Sequence, residues 1–372
     1  KRQPTIDPAE DGLQLKEMDG EGVLFWSADA KVVGFRNMKD LVPVRRIEAS
    51  SEPLVLPVNP AGLGSLPIEL DTGPTTLDEY FSNHNTAGML IIQDGQILYE
   101  RYGLGNTAES RWVSFSVAKS VVAMLIGAAI QDGYIASVDE KVTAYLPRLA
   151  DSPYADTTIG NLLQMASGVA WNEDYADPTS DVATASWETI RLYDFLNDKA
   201  RVAEAGERFN YNTAETNLAG TLLRAAIGNN LSTYLTEKIW RPFGMAGDAY
   251  WQLTESGGGE FGGCCINATL RDYGRIGLFA LAEGVLPDGT AVLPSTWMEE
   301  STRPSEAYAG YGYFWWLNDN GTYEASGIFG QGIHVAPEKN LVIAVHSAWE
   351  HAGRDEDFAR LSAVYRAIVE HL

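Results

Sequence analysis

Positive charge, cysteine and histidine are what this sequence has least of. Only 27 of its 372 residues are Lys or Arg, against 50 Asp or Glu, a formal net charge of −23. That balance excludes nucleic acid and anionic membrane surfaces as partners on electrostatic grounds. No apolar run is long enough to span a bilayer, since even Val117 to Ile130 falls short and carries Lys119 near its start. The five histidines form no His-Glu-x-x-His spacing and there is no Cys-x-x-Cys, so zinc chemistry has no signature here. A Gly-x-Ser-x-Gly elbow is also missing, which argues against a Ser-His-Asp hydrolase. The two cysteines, Cys264 and Cys265, are neighbours. A ring closed between adjacent residues is strained, so two free thiols are expected in a packed loop, and the redox compartment stays open. The first residue is Lys1 rather than Met. A longer precursor is therefore expected, with a periplasmic or secreted location favoured over a cytoplasmic one.

What the chain does have is one very apolar helix with chemistry at its first turn. From Ser116 the sequence runs Ser-Val-Ala-Lys-Ser-Val-Val-Ala-Met-Leu-Ile-Gly-Ala-Ala-Ile, the pattern of a helix buried on all sides. Ser116 and Lys119 are three residues apart, which one helical turn brings to the same face. A buried lysine answers desolvation with a lowered pKa, and a neutral amine beside a serine activates the hydroxyl as a nucleophile. The helix start adds backbone N–H groups suited to an oxyanion. Taken alone, Ser-x-x-Lys also fits a capping serine with a snorkelling lysine. Ser116 is, however, the only serine in the chain with Lys three residues later.

Around this helix the pattern predicts an α+β protein. Thr76 caps a short helix, and 87–93 and 96–102 flank Asp94-Gly95, a two-residue hairpin signal. Aromatic and branched residues at 311–317, 322–328 and 341–346 predict further strands, and Asp355 to Leu372 an amphipathic closing helix. Residues 1–70, rich in Pro, Asp and Glu with short apolar islands, read as an irregular extension packed on the rest. A sheet domain of 71–134 and 246–372 and a mainly helical domain of 135–245 are expected, with the antiparallel sheet flanked by helices.

Ser116-Val-Ala-Lys119 at the start of a central helix resembles the nucleophile motif of the serine β-lactamase, penicillin-binding-protein and class C esterase superfamily. The stretches 138–147, 158–169 and Trp240-Arg-Pro-Phe-Gly-Met245 are similar to landmarks of the same superfamily. The resemblance covers about 75–372 and implies a β-lactamase/transpeptidase-like fold. It also implies that Tyr211, in Tyr211-Asn-Thr213, is the tyrosine directed at the nucleophile. A phenol near an ammonium is expected to have a lowered pKa and to pass protons. Thr213 stands where the superfamily has asparagine, a departure that touches the hydrogen bond given to a substrate amide. The third motif, Lys-Thr-Gly or His-x-Gly in the superfamily, matches best at Ala325-Ser326-Gly327-Ile328, without its basic residue; Gly330-Gln331-Gly332 is a second register. In the first register the N–H groups of Ser116 and Ile328 form the oxyanion hole, with Ser326, Gly327 and Gln331 toward the substrate. The glycine-rich run 257–269 lines the pocket through Asn267 or is a tight structural turn.

The run Gly168 to Pro178, together with 326–331, is similar to 6-aminohexanoate-dimer hydrolases and related carboxylesterases. In that branch a loop tyrosine contacts the scissile amide; Tyr175 is the candidate, or else a surface aromatic. The resemblance implies a serine hydrolase acting on a small ester or amide through an acyl-enzyme, with Ser116 as nucleophile, Lys119 as base, Tyr211 as proton shuttle, and no metal or organic cofactor. The alternatives are a β-lactamase or D-Ala-D-Ala peptidase, against which the missing third-motif cation argues, and a non-catalytic binding descendant of the fold.

Overall fold

The computed structural model describes residues 22–372. Its largest sheet has six antiparallel strands in the order β5-β4-β12-β11-β10-β9. These are β4 (Thr86–Gln93), β5 (Gln96–Tyr102), β9 (Trp316–Leu317), β10 (Tyr323–Ser326), β11 (Gly332–Ala336) and β12 (Leu341–Ser347). A second sheet orders β1 (Val44–Ile47), β7 (Ala249–Gln252), β8 (Ile266–Thr269) and β6 (Arg111–Val113) side by side, and β2 (Pro67–Leu70) pairs with β3 (Gly73–Thr76). The expected hairpin is there: Asp94 and Gly95 both take positive φ, and β4 and β5 pair up to Gln93 opposite Gln96. Strands β4 and β12 are buried almost throughout, because helices cover both faces of their sheet.

Five helices have twelve or more residues: α1 (Ala28–Leu41), α2 (Val117–Gln131), α3 (Thr213–Ile227), α4 (Leu270–Leu281) and α5 (Asp355–His371). All but the last two residues of α2 are buried, as its unbroken apolar sequence requires. Helix α5 turns Leu361, Val364, Tyr365, Ile368 and Val369 to the core, the stripe read from its sequence. Thr76 closes a capping box with Glu79 at the start of the short helix Leu77–Asn83.

The expected irregular extension needs correction. Its residues 1–21 lie outside the described residues, but 22–70 contain α1 and two strands, β1 and β2, and β1 joins the second sheet against β7. The reason is a local apolar stripe inside polar sequence. Phe35 packs its ring 5.7 Å from Trp112, 5.0 Å from Phe115 and 5.2 Å from Phe329. Helix α1 thus sits on the turn that carries Ser116.

Candidate active site

Ser116 occupies the cap position of α2, directly after Phe115, whose φ of +43° is a left-handed conformation that side chains rarely adopt. The turn is held from below: Ser114 accepts a hydrogen bond from the Ile266 N–H at 2.8 Å and gives its own hydroxyl proton to the Phe115 carbonyl at 2.9 Å. Sheet and helix together therefore fix where the Ser116 hydroxyl points.

Lys119 is buried, 1% exposed, with three partners. Its Nζ lies 2.9 Å from Ser116 Oγ, 3.1 Å from Thr213 Oγ1 and 2.7 Å from the Gly263 carbonyl oxygen. Burial drives its pKa down to about 7, while the charge of Glu173 opposes the fall. The directions of these bonds follow from chemistry. Gly263 offers only an acceptor. Thr213 donates its hydroxyl to a Glu173 oxygen, so toward Lys119 it too accepts. Two N–H groups of Lys119 are thereby committed, and in the neutral amine the lone pair is what remains to face the Ser116 hydroxyl.

Tyr211 and Thr213 arrive from the helical region. Asn212 caps α3 by accepting from the Glu215 N–H at 3.1 Å, which places Thr213 at the first helical position and Tyr211 just before it. Tyr211 and Ser116 line the same cleft. The Tyr211 ring lies 5.1 Å from Lys119 Nζ and stacks on Trp316 at 5.5 Å. The expectation of a lowered phenol pKa is overturned. Burial pushes it well above its ordinary value and Glu173 adds to the rise, against a smaller opposite effect of Ser116. A protonated phenol at neutral pH is a proton donor, not a standing base.

Of the third motif, Ser326 ends β10 and Gly327 and Ile328 follow it at the mouth of the cleft. Among the described residues neither the Ser116 N–H nor the Ile328 N–H has an acceptor. A Cβ at Gly327 would lie 2.8 Å from the Ser114 carbonyl oxygen, so only glycine lets this strand end approach the serine turn. Ala325, in the place of the superfamily's basic residue, is buried and uncharged.

Tyr175 reaches the same cleft, its hydroxyl donating to Glu173 at 3.0 Å. Two of the sequence candidates do not. Asn267 is wholly buried in β8, donating to the Tyr250 carbonyl at 3.2 Å. Gln331 is buried too; its amide donates to the Ser347 carbonyl at 3.0 Å and accepts from the Phe329 N–H at 3.2 Å, so it braces the turn after Gly327 and does not face the cleft. The turn after Gly262 and Gly263 delivers the neighbouring Cys264 and Cys265 side chains to one cavity wall.

Glu173 is the residue that sequence reasoning passed over. Its carboxylate accepts from the Thr213 hydroxyl, the Thr213 N–H at 3.0 Å, the Trp171 indole N–H and the Tyr175 hydroxyl. Its position in the run 168–178 was visible, but nothing in that acidic stretch set it apart from Asp174. Among the described residues no group of three or more His, Cys, Asp or Glu side chains could hold a metal ion, and no helix is long and apolar enough to cross a membrane.

The family model described as Beta-lactamase matches residues 76–366. The 6-aminohexanoate-dimer hydrolase of Paenarthrobacter ureafaciens is 29% identical over 298 residues, covering 73% of this chain and 75% of that protein. Among solved structures, a Bacillus anthracis protein with the provisional name 6-aminohexanoate-dimer hydrolase superposes with a TM-score of 0.82 at 23% identity, over 91% of this chain and 94% of that one. A family VIII carboxylesterase gives 0.59 at 18% identity, over 77% and 93%. At those identities the two structures speak to the fold alone.

Proposed function

Because this chain belongs to the beta-lactamase family of serine hydrolases, we propose that it cleaves a small ester or linear amide through an acyl-enzyme on Ser116. One observation carries the reading: the Ser116 hydroxyl lies 2.9 Å from the Lys119 amine in a cleft it shares with the Tyr211 phenol, beside two N–H groups that have no acceptor among the described residues. Neutral Lys119 takes the Ser116 proton as Oγ bonds to the substrate carbonyl carbon. The carbonyl oxygen becomes an oxyanion held by the N–H groups of Ser116 and Ile328. As the carbon–leaving-group bond breaks, Tyr211 gives its proton to the departing oxygen or nitrogen and is reprotonated by the Lys119 ammonium, which lies 5.1 Å from its ring. Water then adds to the acyl carbon, its proton passing to Lys119, and the acid leaves as Ser116 Oγ regains a proton.

The catalytic groups come from both expected domains: Ser116, Lys119 and Ile328 from the sheet unit of 71–134 and 246–372, and Tyr211, Thr213 and Tyr175 from the helical unit of 135–245. Tyr175 and Ser326 are assigned to substrate contact. The uncharged Ala325 gives no anchor for the carboxylate of a penicillin or a D-Ala-D-Ala peptide, which disfavours those substrates. The test is intact-protein mass and product release for wild type, Ser116→Ala and Lys119→Ala with p-nitrophenyl acetate and with a linear 6-aminohexanoate dimer. Wild type is expected to acylate and turn over with p-nitrophenyl acetate, both variants at least ~10³-fold slower, and the dimer then decides between an esterase and a linear-amide hydrolase. Equal behaviour of all three proteins would refute the assignment.

A further inference from the structure

Ser116 lies where two cavities of different character meet. The larger, about 950 Å³, has Tyr211 and Trp316 in its walls and charged groups around it, Glu173, Arg354, Asp355 and Glu356 among them. The smaller, about 350 Å³, opens on the other side of Ser116 and Ile328. Its walls are Trp26, Met38 and Leu41 from the N-terminal segment, Val182 and Trp187 from the helical unit, and Phe115 beneath. Among the described residues that line it none is Asp, Glu, Lys, Arg or His; Ser116, Thr213, Tyr175 and Gln252 bring hydroxyl and amide groups.

We propose that the smaller cavity is the acyl subsite, and that the preferred substrates are esters or amides of uncharged, hydrophobic carboxylic acids. The inference rests on the assignment of Ser116 as nucleophile and Tyr211 as donor to the leaving group. Tyr211 lines the larger cavity and not the smaller one. The group it protonates therefore departs into the larger cavity. The two substituents of a carbonyl carbon point apart, so the acyl substituent is directed into the apolar one. An acyl chain ending in an ammonium would bring a charge into a space where the described residues offer no carboxylate to meet it, which desolvation penalises heavily. Both ends of a linear aminohexanoate dimer are charged, and the ammonium is on its acyl half. The substrate class inferred here therefore differs from that of the relative so named. Residues 23–42, which supply the outer wall, lie outside the 76–366 span shared with the family model.

The experiment is a series of p-nitrophenyl acetate, butyrate, hexanoate and octanoate, with p-nitrophenyl 6-aminohexanoate as the charged counterpart. Each methylene that enters the cavity is expected to raise kcat/KM about fourfold until the space is filled. The ω-amino ester is expected at least ~100-fold below hexanoate. A flat or falling series, or an ω-amino ester that matches hexanoate, overturns the proposal. Leu41→Trp and Val182→Trp fill the cavity from opposite walls, and each should collapse the octanoate-to-acetate ratio of kcat/KM toward one. A ratio that survives in either folded variant also overturns it. A measurement without turnover separates this proposal from the hydrolase reading: binding of butyramide, hexanamide and octanamide to Ser116→Ala, followed by tryptophan fluorescence. Affinity that tightens with length supports the subsite even if the wild type never acylates, which would sink the hydrolase reading instead. Amides that fail to bind, alongside a wild type that acylates, overturn the subsite alone.

Discussion

Replacing Glu173 by Gln is the sharpest test of how Lys119 is tuned. Glu173 reaches Lys119 through one hydroxyl: Lys119 Nζ is 3.1 Å from Thr213 Oγ1, which in turn donates to the Glu173 carboxylate. Two hydrogen bonds in series put the charges roughly 5–6 Å apart, and at an effective dielectric of about 20 their attraction is about 3 kcal/mol, or roughly 2 pH units. That attraction stabilises the ammonium and works against the burial that lowers the Lys119 pKa to about 7. The amine is the active form, so kcat/KM should rise with pH along an acid limb set by Lys119. Gln keeps an oxygen for the Thr213 hydroxyl and removes the charge. The limb should therefore move to lower pH, by up to about 2 units, even though the plateau falls because the amide keeps one acceptor oxygen and two of the four donors that face the carboxylate lose their partner. The assay is the second-order rate of Ser116 labelling by a fluorophosphonate from pH 4.5 to 9, which isolates the attack step. Asp174→Asn, changing an exposed carboxylate on the cleft rim, serves as the control and should shift the limb by only a few tenths of a unit because solvent screens it. A limb that stays put in Glu173→Gln, or moves up, would show that this carboxylate does not govern the lysine.

Three further outcomes follow from the same structure. Gly327→Ala forces a Cβ against the Ser114 carbonyl oxygen and the Gln331 amide, displacing the Ile328 N–H; kcat should drop about 10²-fold with KM less affected, and unchanged steady-state kinetics would remove Ile328 from the oxyanion hole. Glu215 is buried with Ser167 and Tyr154 donating to it, and burial raises its pKa from 4.5 to about 8. Between those values the folded state keeps a proton that the unfolded chain releases, so its contribution to stability is complete below about pH 4.5 and lost as pH climbs to about 8, at about 1.4 kcal/mol per unit. Glu215→Gln should flatten that part of the urea-denaturation profile, and parallel profiles would contradict it. In Gly127→Ala the added methyl meets the Trp297 indole nitrogen at 2.5 Å inside α2, which should cost about 1–3 kcal/mol; a melting temperature that holds would mean the tryptophan moves aside freely.

How much of this was legible in the sequence depends on whether the signal was local. The α2 nucleophile turn, the Asp94-Gly95 hairpin and the Thr76 capping box were readable because each is decided by neighbours within a few residues. Helix α1 was not: its apolar positions are few, and what holds Phe35 is a cluster of rings brought from Trp112, Phe115 and Phe329. Strand β11 has no local signal of that kind: five residues from Gly332 to Ala336 are buried between β10 and β12. Asn267 looked like a polar contact because it follows a glycine-rich loop, but β8 begins one residue earlier and seals it inside the second sheet. Burial against distant strands is the quantity a single sequence does not display.

The pair formed by Thr213 and Glu173 shows why a motif departure is best read as a change of wiring. Thr213 stands where an amide side chain is usual, and in isolation the change looks like a lost donor to substrate. A threonine hydroxyl has one proton to give, and here it goes to Glu173, which makes the oxygen an acceptor toward Lys119. An asparagine at this position could meet the lysine through its oxygen but would face the carboxylate with a second, bulkier group. Threonine and glutamate are thus a matched set: the hydroxyl is short enough for the carboxylate to close over it, and the carboxylate also takes the Thr213 N–H, a donor left free at the first turn of α3. The charge that arrives with this arrangement opposes the burial of Lys119 and holds its pKa at about 7, where both protonation states are accessible, as a base that must accept and return a proton in each cycle requires. The same carboxylate takes the Tyr175 hydroxyl, so the loop carrying that tyrosine over the cleft is fastened to the residue that sets the base.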